Sequence, residues 1–389
     1  MTEKVIPYGR QSISAADIQA VVDVLQSDWL TQGPAVERFE AAVADYCGAR
    51  HAVAVNSATS ALHIACLAAG LGPDDTLWTS PNTFVASANC GLYCGSGVDF
   101  VDIDPRTYNM STDELERRLE AAARSGKLPK VVVPVHFAGQ PCEMDKIAAL
   151  SEEYGFAVIE DASHAIGGRY CDTRIGSSAF SAMTVFSFHP VKIITTGEGG
   201  MVLTNDRSLY ERLVRLRSHG ITRDHALMEG ESHGPWYYQQ IELGFNYRMT
   251  DIQAALGASQ MARLDEFVAR RHYLAGRYDE GLRDLPVTLP WQHDDAWSGF
   301  HLYVVRLQLK KIGRSHREVF EALRQRGILV NLHYIPVHTQ PYYQRMGFRS
   351  GDFPEAERYY QEAISLPLYF GLSEADQDRV IFEVRETVR

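Results

Sequence analysis

The chain has 389 residues, which at about 150 residues to a typical domain reads as one large domain plus a smaller one. Hydrophobic residues make up 45% and charged residues 22%, a balance that excludes a disordered or fibrous chain. Thirty-eight basic against 49 acidic residues give a net charge of −11 with no basic stripe, so no nucleic acid and no membrane surface is expected as partner.

Any anionic ligand must therefore be held by local groups. The N-terminal Met1-Thr2-Glu3-Lys4 carries no apolar leader, and no apolar run is long enough to cross a bilayer, so a soluble cytoplasmic protein is expected. Six cysteines, at 47, 66, 90, 94, 142 and 171, form no CxxC pair and are expected as buried free thiols of a reducing compartment.

Ser14 opens a predicted helix, with Asp17 completing a capping-box pattern and Ile18, Val21, Val22 and Leu25 on one face. From residue 52 short β-rich runs alternate with helical stretches. The predicted strands are 52–55, 76–80, 98–103, 131–135, 157–160, 183–188 and 201–204, with helices such as 112–124 and 143–154 between them. This alternation predicts an α/β fold with a mostly parallel sheet covered on both faces. A long helix over 250–281 leads into a region punctuated by Pro286, Pro290 and the Trp291 to Trp297 segment. Strand 301–309, helix 315–326, strand 328–333 and a last helix from Ser373 read as a smaller α+β domain. The expected division is 1–270 and 271–389.

Three clusters stand where strands hand over to loops, the place where open α/β sheets bind ligands. The first, residues 56–62, puts Ser57, Ala58 and Thr59 at a helix start, where free N–H groups suit a phosphate; a plain N-cap explains the same residues. The second ends a buried strand with Glu160 and Asp161, followed by His164. A buried carboxylate there needs a cation or a donor, and Asp161 with His164 also admits half a metal site, though no second ligand pair lies nearby. The third sets Lys192 in a loop rich in glycine and threonine after an apolar strand. A solvated surface lysine is the ordinary explanation; a desolvated one is a carbonyl-directed nucleophile. Together a phosphate cradle, a carboxylate for a ring nitrogen and a Schiff-base lysine are the parts needed to hold pyridoxal 5'-phosphate. No metal is expected.

The ordered motifs NSATSALH, EDASHAIGG, SFHPVK, GEGG and GFNYRMTDIQAALG closely resemble those of the DegT/DnrJ/EryC1/StrS sugar aminotransferases, and the resemblance covers nearly the whole chain. It implies fold type I of the pyridoxal-phosphate transferases, aspartate aminotransferase-like, with a mixed, mostly parallel sheet. WLTQG from Trp29, GILVNLHY from Gly327 and AISLP from Ala363 look most like the UDP-4-amino-4,6-dideoxy-N-acetyl-β-L-altrosamine transaminases of the pseudaminic acid pathway.

The resemblance also implies roles. Lys192 would carry the cofactor as an aldimine, and Asp161 would hold its ring nitrogen protonated. His164 and Phe84 would lie against the two ring faces. Ala58, Thr59 and Ser187 would bind the phosphate, with Asn246 reaching it from the neighbouring subunit of a homodimer. Tyr8, Asp28, Trp29, Leu30, Thr31, Asn331, Leu332, His333 and Tyr334 match segments that line the sugar-nucleotide pocket in relatives. The partners implied are a UDP-sugar and L-glutamate, with 2-oxoglutarate released.

Arg248 reads equally as a receptor for a glutamate carboxylate or as a structural pair, and His189 as a loop-positioning residue. The Trp236-Tyr237-Tyr238 run reads as a surface aromatic patch. Sugar 3-dehydratases of the same family replace the lysine by histidine, and a binding protein that kept only the fold would lose Lys192 or Asp161; both stand here. A nicotinamide dehydrogenase would show GxGxxG after the first strand, and residues 56–62 do not.

Overall fold

A computed structural model describes residues 5–389, so the Met1 to Lys4 segment read for a leader lies outside the described residues. The central sheet has seven strands in the order His51–Val55, Gly200–Thr204, Met183–Ser187, Ala157–Asp161, Val131–Val133, Thr76–Thr79, Gly97–Phe100. Gly200–Thr204 runs antiparallel to both of its neighbours, and every other pairing is parallel. All seven strands expected from sequence form, because β-branched runs covered on both faces leave the chain little alternative.

Strand alternation divides the side chains between two cores. Val53, Val55, Leu77, Val131, Val133, Ile159, Val185 and Val202 pack with helix Ala58–Ala68 on one face. Ala54, Trp78, Val132, Val158, Phe186 and Leu203 pack on the other against helices Pro34–Cys47, Thr112–Ser125 and Met144–Tyr154. A third core gathers Leu274 to Val388 around the antiparallel strands Val287–Thr288, Tyr303–Leu307 and Ala363–Leu366. It takes in Ile6 from the N-terminal segment, because Ile6–Pro7 pairs in parallel with Ile328–Leu329.

Four expectations are corrected. The 250–281 stretch is two helices, Asp251–Met261 and Leu264–Leu282, and strand 328–333 shortens to Ile328–Leu329. The capping box of helix Ala15–Leu25 forms, but its apolar face is not the buried one: Ile18 is 58% and Leu25 55% exposed, while Asp17 is fully buried. Asp17 accepts hydrogen bonds from Ser259 Oγ (2.6 Å) and Gln260 Nε2 (2.8 Å), so a polar anchor docks this helix. Cys171 is exposed at the tip of the hairpin between Arg169–Tyr170 and Thr173–Arg174; the other five cysteines are buried, and all six are free.

Candidate active site

Six strands end at one edge of the sheet, and the reversed strand begins there with Gly200. A cavity of about 600 Å³ opens over that edge. Of the residues expected in the site, Tyr8, Ala58, Thr59, Phe84, Asp161, His164, Ser187, Lys192, Asn331, Leu332, His333 and Tyr334 line it.

At one end of the cavity helix Ala58–Ala68 starts directly after strand His51–Val55. The Ser57 hydroxyl caps it by accepting the Ser60 N–H at 3.1 Å, and Ser60 Oγ donates to Asn56 Oδ1 at 2.7 Å. The Ala58 and Thr59 N–H groups meet no acceptor among the described residues, so cap and anion cradle coexist: Ser57 serves the helix, and the next two amides stay free. Gly200 pairs with Val55 on one side and Ser187 on the other, which sets the Ser187 hydroxyl at the same sheet end. A Cβ on Gly200 would stand 2.5 Å from the Ala58 nitrogen and from the Ser57 carbonyl. Gly200→Ala should therefore push the helix start outward. We expect a loss of about 1–3 kcal/mol of stability, the usual cost of overpacking, with weakened affinity for pyridoxal phosphate; thermal melts and cofactor titration check both.

Strand alternation sends Glu160 and Asp161 to opposite faces. Glu160 turns away from the cavity and accepts from His136 Nε2 (2.7 Å), Ser181 Oγ (2.5 Å) and Thr184 Oγ1 (3.0 Å). Burial alone would raise its pKa, but these donors outweigh burial and hold the carboxyl low. Its partner His136 accepts the Cys142 N–H on Nδ1 (3.1 Å), which leaves the Nε2 proton for Glu160. Glu160 is structural. Asp161 faces the cavity, with Oδ2 accepting from Ser87 Oγ at 2.6 Å and Oδ1 from the Ser163 N–H at 3.1 Å. Thr83 Oγ1 in turn meets Ser87 Oγ at 2.8 Å. Sequence reasoning missed Ser87; a small hydroxyl residue in a buried helix carries no signal of its own.

His164 receives the Ala138 N–H on Nδ1 (3.2 Å), so its proton sits on Nε2, 3.1 Å from the Tyr334 hydroxyl. With both ring nitrogens engaged, the half metal site suggested by Asp161 and His164 does not form. No cluster of three His, Cys, Asp or Glu among the described residues could hold a metal ion. Burial first, then the positive charge of Lys192 and the nearby His333, hold the His164 pKa well below its ordinary value. The His164 ring lies nearly parallel to Tyr334 at 6.1 Å, and the exposed ring of Phe84 meets Tyr334 at 6.2 Å.

Lys192 sits in the loop that returns strand Met183–Ser187 into Gly200–Thr204. Its N–H donates to the His189 carbonyl at 2.9 Å, and Thr195 Oγ1 donates to the Phe188 carbonyl at 2.9 Å, which fixes the turn. Burial lowers the ammonium pKa from an ordinary 10.5 to about 8, against the opposing pull of the Asp161 carboxylate. A usable fraction of the amine is thus neutral near physiological pH.

The opposite wall is polar and uncharged. Asn331 Nδ2 meets His333 Nε2 at 3.3 Å, and His333 Nδ1 meets Ser365 Oγ at 2.9 Å. The Tyr8 ring lies 5.2 Å from His333. Burial, with the charge on Lys192 behind it, pushes the His333 pKa down to about 3. His301 and Glu198 also line the cavity; Glu198 belongs to the GEGG motif, but sequence alone assigns neither residue a role.

Asp28, Trp29, Leu30, Thr31 and Asn246 do not line this cavity. Thr31 bridges Thr250, the Asp251 N–H donates to the Leu30 carbonyl at 3.0 Å, and Asn246 is exposed with its backbone bridging Ser218. Residues 30 and 31 therefore meet residues 250 and 251, while Asn246 pairs elsewhere. Arg248 forms no ion pair among the described residues, and Trp236 is 72% exposed. No helix among the described residues is long and apolar enough to cross a membrane.

The side chains present fit pyridoxal phosphate: two free amides with a hydroxyl for the phosphate, a doubly hydrogen-bonded carboxylate for the ring nitrogen, and a lysine of lowered pKa for the aldehyde. Comparisons with known proteins agree. The model of the DegT/DnrJ/EryC1/StrS aminotransferase family matches residues 11–385. Spore coat polysaccharide biosynthesis protein SpsC of Bacillus subtilis (strain 168) is 42% identical over 387 residues, 99% of this chain and 97% of its own. Among solved structures, Helicobacter pylori PseC, an aminotransferase involved in the biosynthesis of pseudoaminic acid, superposes with a TM-score of 0.89 at 31% identity over 99% of both chains. DesV of S. venezuelae superposes with a TM-score of 0.87 at 32% identity, again over 99% of both. With its fold type I sheet and this cavity, the chain belongs to the DegT/DnrJ/EryC1/StrS family and is a pyridoxal-phosphate-dependent sugar aminotransferase.

Proposed function

We propose that the protein moves the amino group of L-glutamate to C4 of a 4-keto-6-deoxy UDP-N-acetylhexosamine, giving UDP-4-amino-4,6-dideoxy-N-acetyl-β-L-altrosamine. The observation that carries the reaction type is the shared cavity: Lys192 with a lowered pKa, Asp161, and the free amides of Ala58 and Thr59. The choice of sugar rests on the motifs shared with pseudaminic-type transaminases and on the likeness to PseC.

When bound, pyridoxal phosphate supplies an aldehyde that condenses with amines and a ring that accepts the electron pair of a breaking C–H bond. Ala58, Thr59 and Ser187 hold its phosphate, and Asp161 keeps the ring nitrogen charged. Lys192 Nζ takes the proton from the α-carbon of glutamate in the first half-reaction and delivers one to C4 of the sugar in the second. Neutral Tyr8, Asn331 and His333 offer hydrogen bonds to the sugar without adding charge beside the lysine. A panel of 4-keto nucleotide sugars with glutamate tests the assignment, following 2-oxoglutarate release and identifying the amino sugar. Turnover with every member except the UDP-4-keto-6-deoxy-N-acetylhexosamine would refute the sugar and keep the reaction.

We infer further that the protein works as a homodimer whose sites are shared. Ile18, Leu25, Trp29 and Leu30 expose large apolar surface, as do Trp236 and Leu243, and Asn246 and Arg248 carry polar groups with no role in their own cavity. On this reading Asn246 reaches the partner's phosphate, and residues 28–31 line the partner's sugar site. Mixing two impaired variants, Lys192→Ala and Asn246→Ala, decides it. In a mixed dimer one site carries both lesions and the other none, so random reassociation of equal amounts should restore about a quarter of wild-type activity. Mixed dimers that show only the average of the two parents would place both residues in one subunit's site.

A further inference from the structure

Behind His164 a second imidazole is built into the same cavity. His301 is 4% exposed, and its ring centroid lies 4.4 Å from that of His164. Its placement is overdetermined. Phe300 holds a left-handed φ of 44°, a conformation that a bulky residue keeps only under constraint. The constraint is Arg271, buried in helix Leu264–Leu282, whose Nη1 donates to the carbonyls of Phe300 (3.1 Å), His301 (3.1 Å) and Leu368 (3.0 Å). The Leu302 N–H donates to the Ala138 carbonyl at 3.2 Å, and the Gly299 N–H to the Gly139 carbonyl at 2.9 Å. Both histidines are thus keyed to one turn, since the Ala138 N–H also fixes His164.

A residue held so firmly has an unfinished hydrogen-bond set. His301 Nδ1 is sealed from solvent and has no partner. A buried N–H without an acceptor costs more than a bare lone pair, so Nδ1 is the unprotonated nitrogen and Nε2 carries the proton. Burial, with His164, Lys192 and Arg271 nearby, keeps the ring neutral. Nε2 meets no acceptor among the described residues, while the side chain lines the cavity.

We propose that His301 is a further site residue whose Nε2–H donates a hydrogen bond to an acceptor oxygen of the molecule held in the cavity. That oxygen belongs either to the ring hydroxyl of the cofactor or to the sugar nucleotide; naming these two sources rests on the aminotransferase reading above. His301→Phe keeps the ring packed on His164 and removes the donor, whereas His301→Gln places an amide nitrogen where Nε2 stands and removes the ring. Losing one such donor should cost on the order of ten- to a hundredfold in the step that uses it.

If the oxygen is the cofactor's, His301→Phe binds pyridoxal phosphate more weakly and shifts the visible absorption band of the holoenzyme. If it is the sugar's, cofactor titration, spectrum and the glutamate half-reaction stay as in wild type, and KM for the sugar nucleotide rises. In both cases His301→Gln should remain within a few-fold of wild type. A His301→Phe holoenzyme unchanged in all four measurements would overturn the proposal. So would a folded His301→Gln impaired by about tenfold or more against wild type in the same measurements, which would reduce His301 to packing; read against wild type, this arm stands even should the phenylalanine variant fail to fold. Absence of any glutamate half-reaction in the wild type would refute glutamate as the amino donor in the function proposed above, and the cofactor titration would still report on His301.

Discussion

Lys192→Ala is expected to abolish turnover and the covalent link between the protein and its yellow cofactor, while leaving a folded protein that still takes up pyridoxal phosphate. The lysine contributes nothing to the fold beyond its backbone: its N–H bond to the His189 carbonyl and the threonine contacts of the loop survive truncation. The free amides at Ala58 and Thr59, the Ser187 hydroxyl and the Asp161 carboxylate, proposed above to hold the cofactor, also remain, so affinity should fall but binding persist. What disappears is the nucleophile and the proton carrier together. Removing a positioned general acid–base alone costs about 10²–10⁴-fold, so kcat should drop by at least that much. In the wild type, borohydride reduction followed by peptide mapping should find the cofactor on Lys192 and nowhere else. The pH dependence is specific as well. Because burial brings the ammonium pKa down to about 8, the rate at which apoprotein captures the aldehyde should climb with pH through about 8 and level off above it. A midpoint near the ordinary 10.5 would mean a solvated lysine, and near-wild-type turnover in Lys192→Ala would remove the residue from the mechanism.

The parts of the molecule that were legible in its sequence are those governed by local pattern. Strand-end motifs announce the Ser57 to Thr59 turn, Asp161 and Lys192, because residues that follow neighbouring strands in sequence are brought to one cavity by them. Where long-range contacts decide, the pattern misleads. No glycine or proline marks the break between Met261 and Leu264, and Gln260, Met261 and Ala262 are all good helix formers. The helix ends there while Gln260 is drawn inward, donating to the Ser12 carbonyl and to Asp17, both at 2.8 Å. The same contact buries Asp17 and leaves Ile18 and Leu25 outside, the reverse of what the apolar face predicts. Cys171 is exposed because Cys171 and Asp172 both take left-handed φ, 44° and 64°, in a tight hairpin turn, a conformation that composition does not announce. Ser87 and His301 were invisible for a related reason. Ser87 meets Asp161 across 74 positions, and His301 meets His164 across a turn that neither residue contains. Residues 28–31 and 246 pose a different problem: they do not line the active-site cavity, so only the resemblance and their exposure speak for a role.

Asp161→Asn should fold, bind pyridoxal phosphate and lose on the order of 10²–10³ in kcat, the scale seen when a single electrostatic partner is taken from a preorganised site. The substitution isolates charge from shape. An asparagine in the same rotamer keeps Oδ1 as acceptor for the Ser163 N–H, now 3.1 Å away. Its amide nitrogen replaces Oδ2 and can donate to Ser87 Oγ, now at 2.6 Å, because a hydroxyl accepts as readily as it donates. Ser87 can then turn its own proton toward Thr83 Oγ1 at 2.8 Å, which displaces the Thr83 proton toward the cavity that Thr83 lines. The displaced proton and the second amide proton face the cavity and not the packed core, so the melting temperature of the apoprotein should change little. The carboxylate's charge is the one thing removed. A neutral amide facing the ring nitrogen no longer favours its protonated form, and the ring withdraws electrons less strongly when the substrate C–H bond breaks. The loss should therefore fall on kcat in both half-reactions, with KM for glutamate and for the sugar nucleotide largely kept, since Asp161 would meet the ring nitrogen and has no hydrogen bond to Tyr8, Asn331 or His333. A primary isotope effect with α-deuterated glutamate should grow in the variant as proton removal becomes more fully rate-limiting. Full kcat in Asp161→Asn would assign the ring nitrogen to another partner. A collapse of cofactor binding with kcat intact per bound cofactor would make Asp161 an anchor and not an electronic partner.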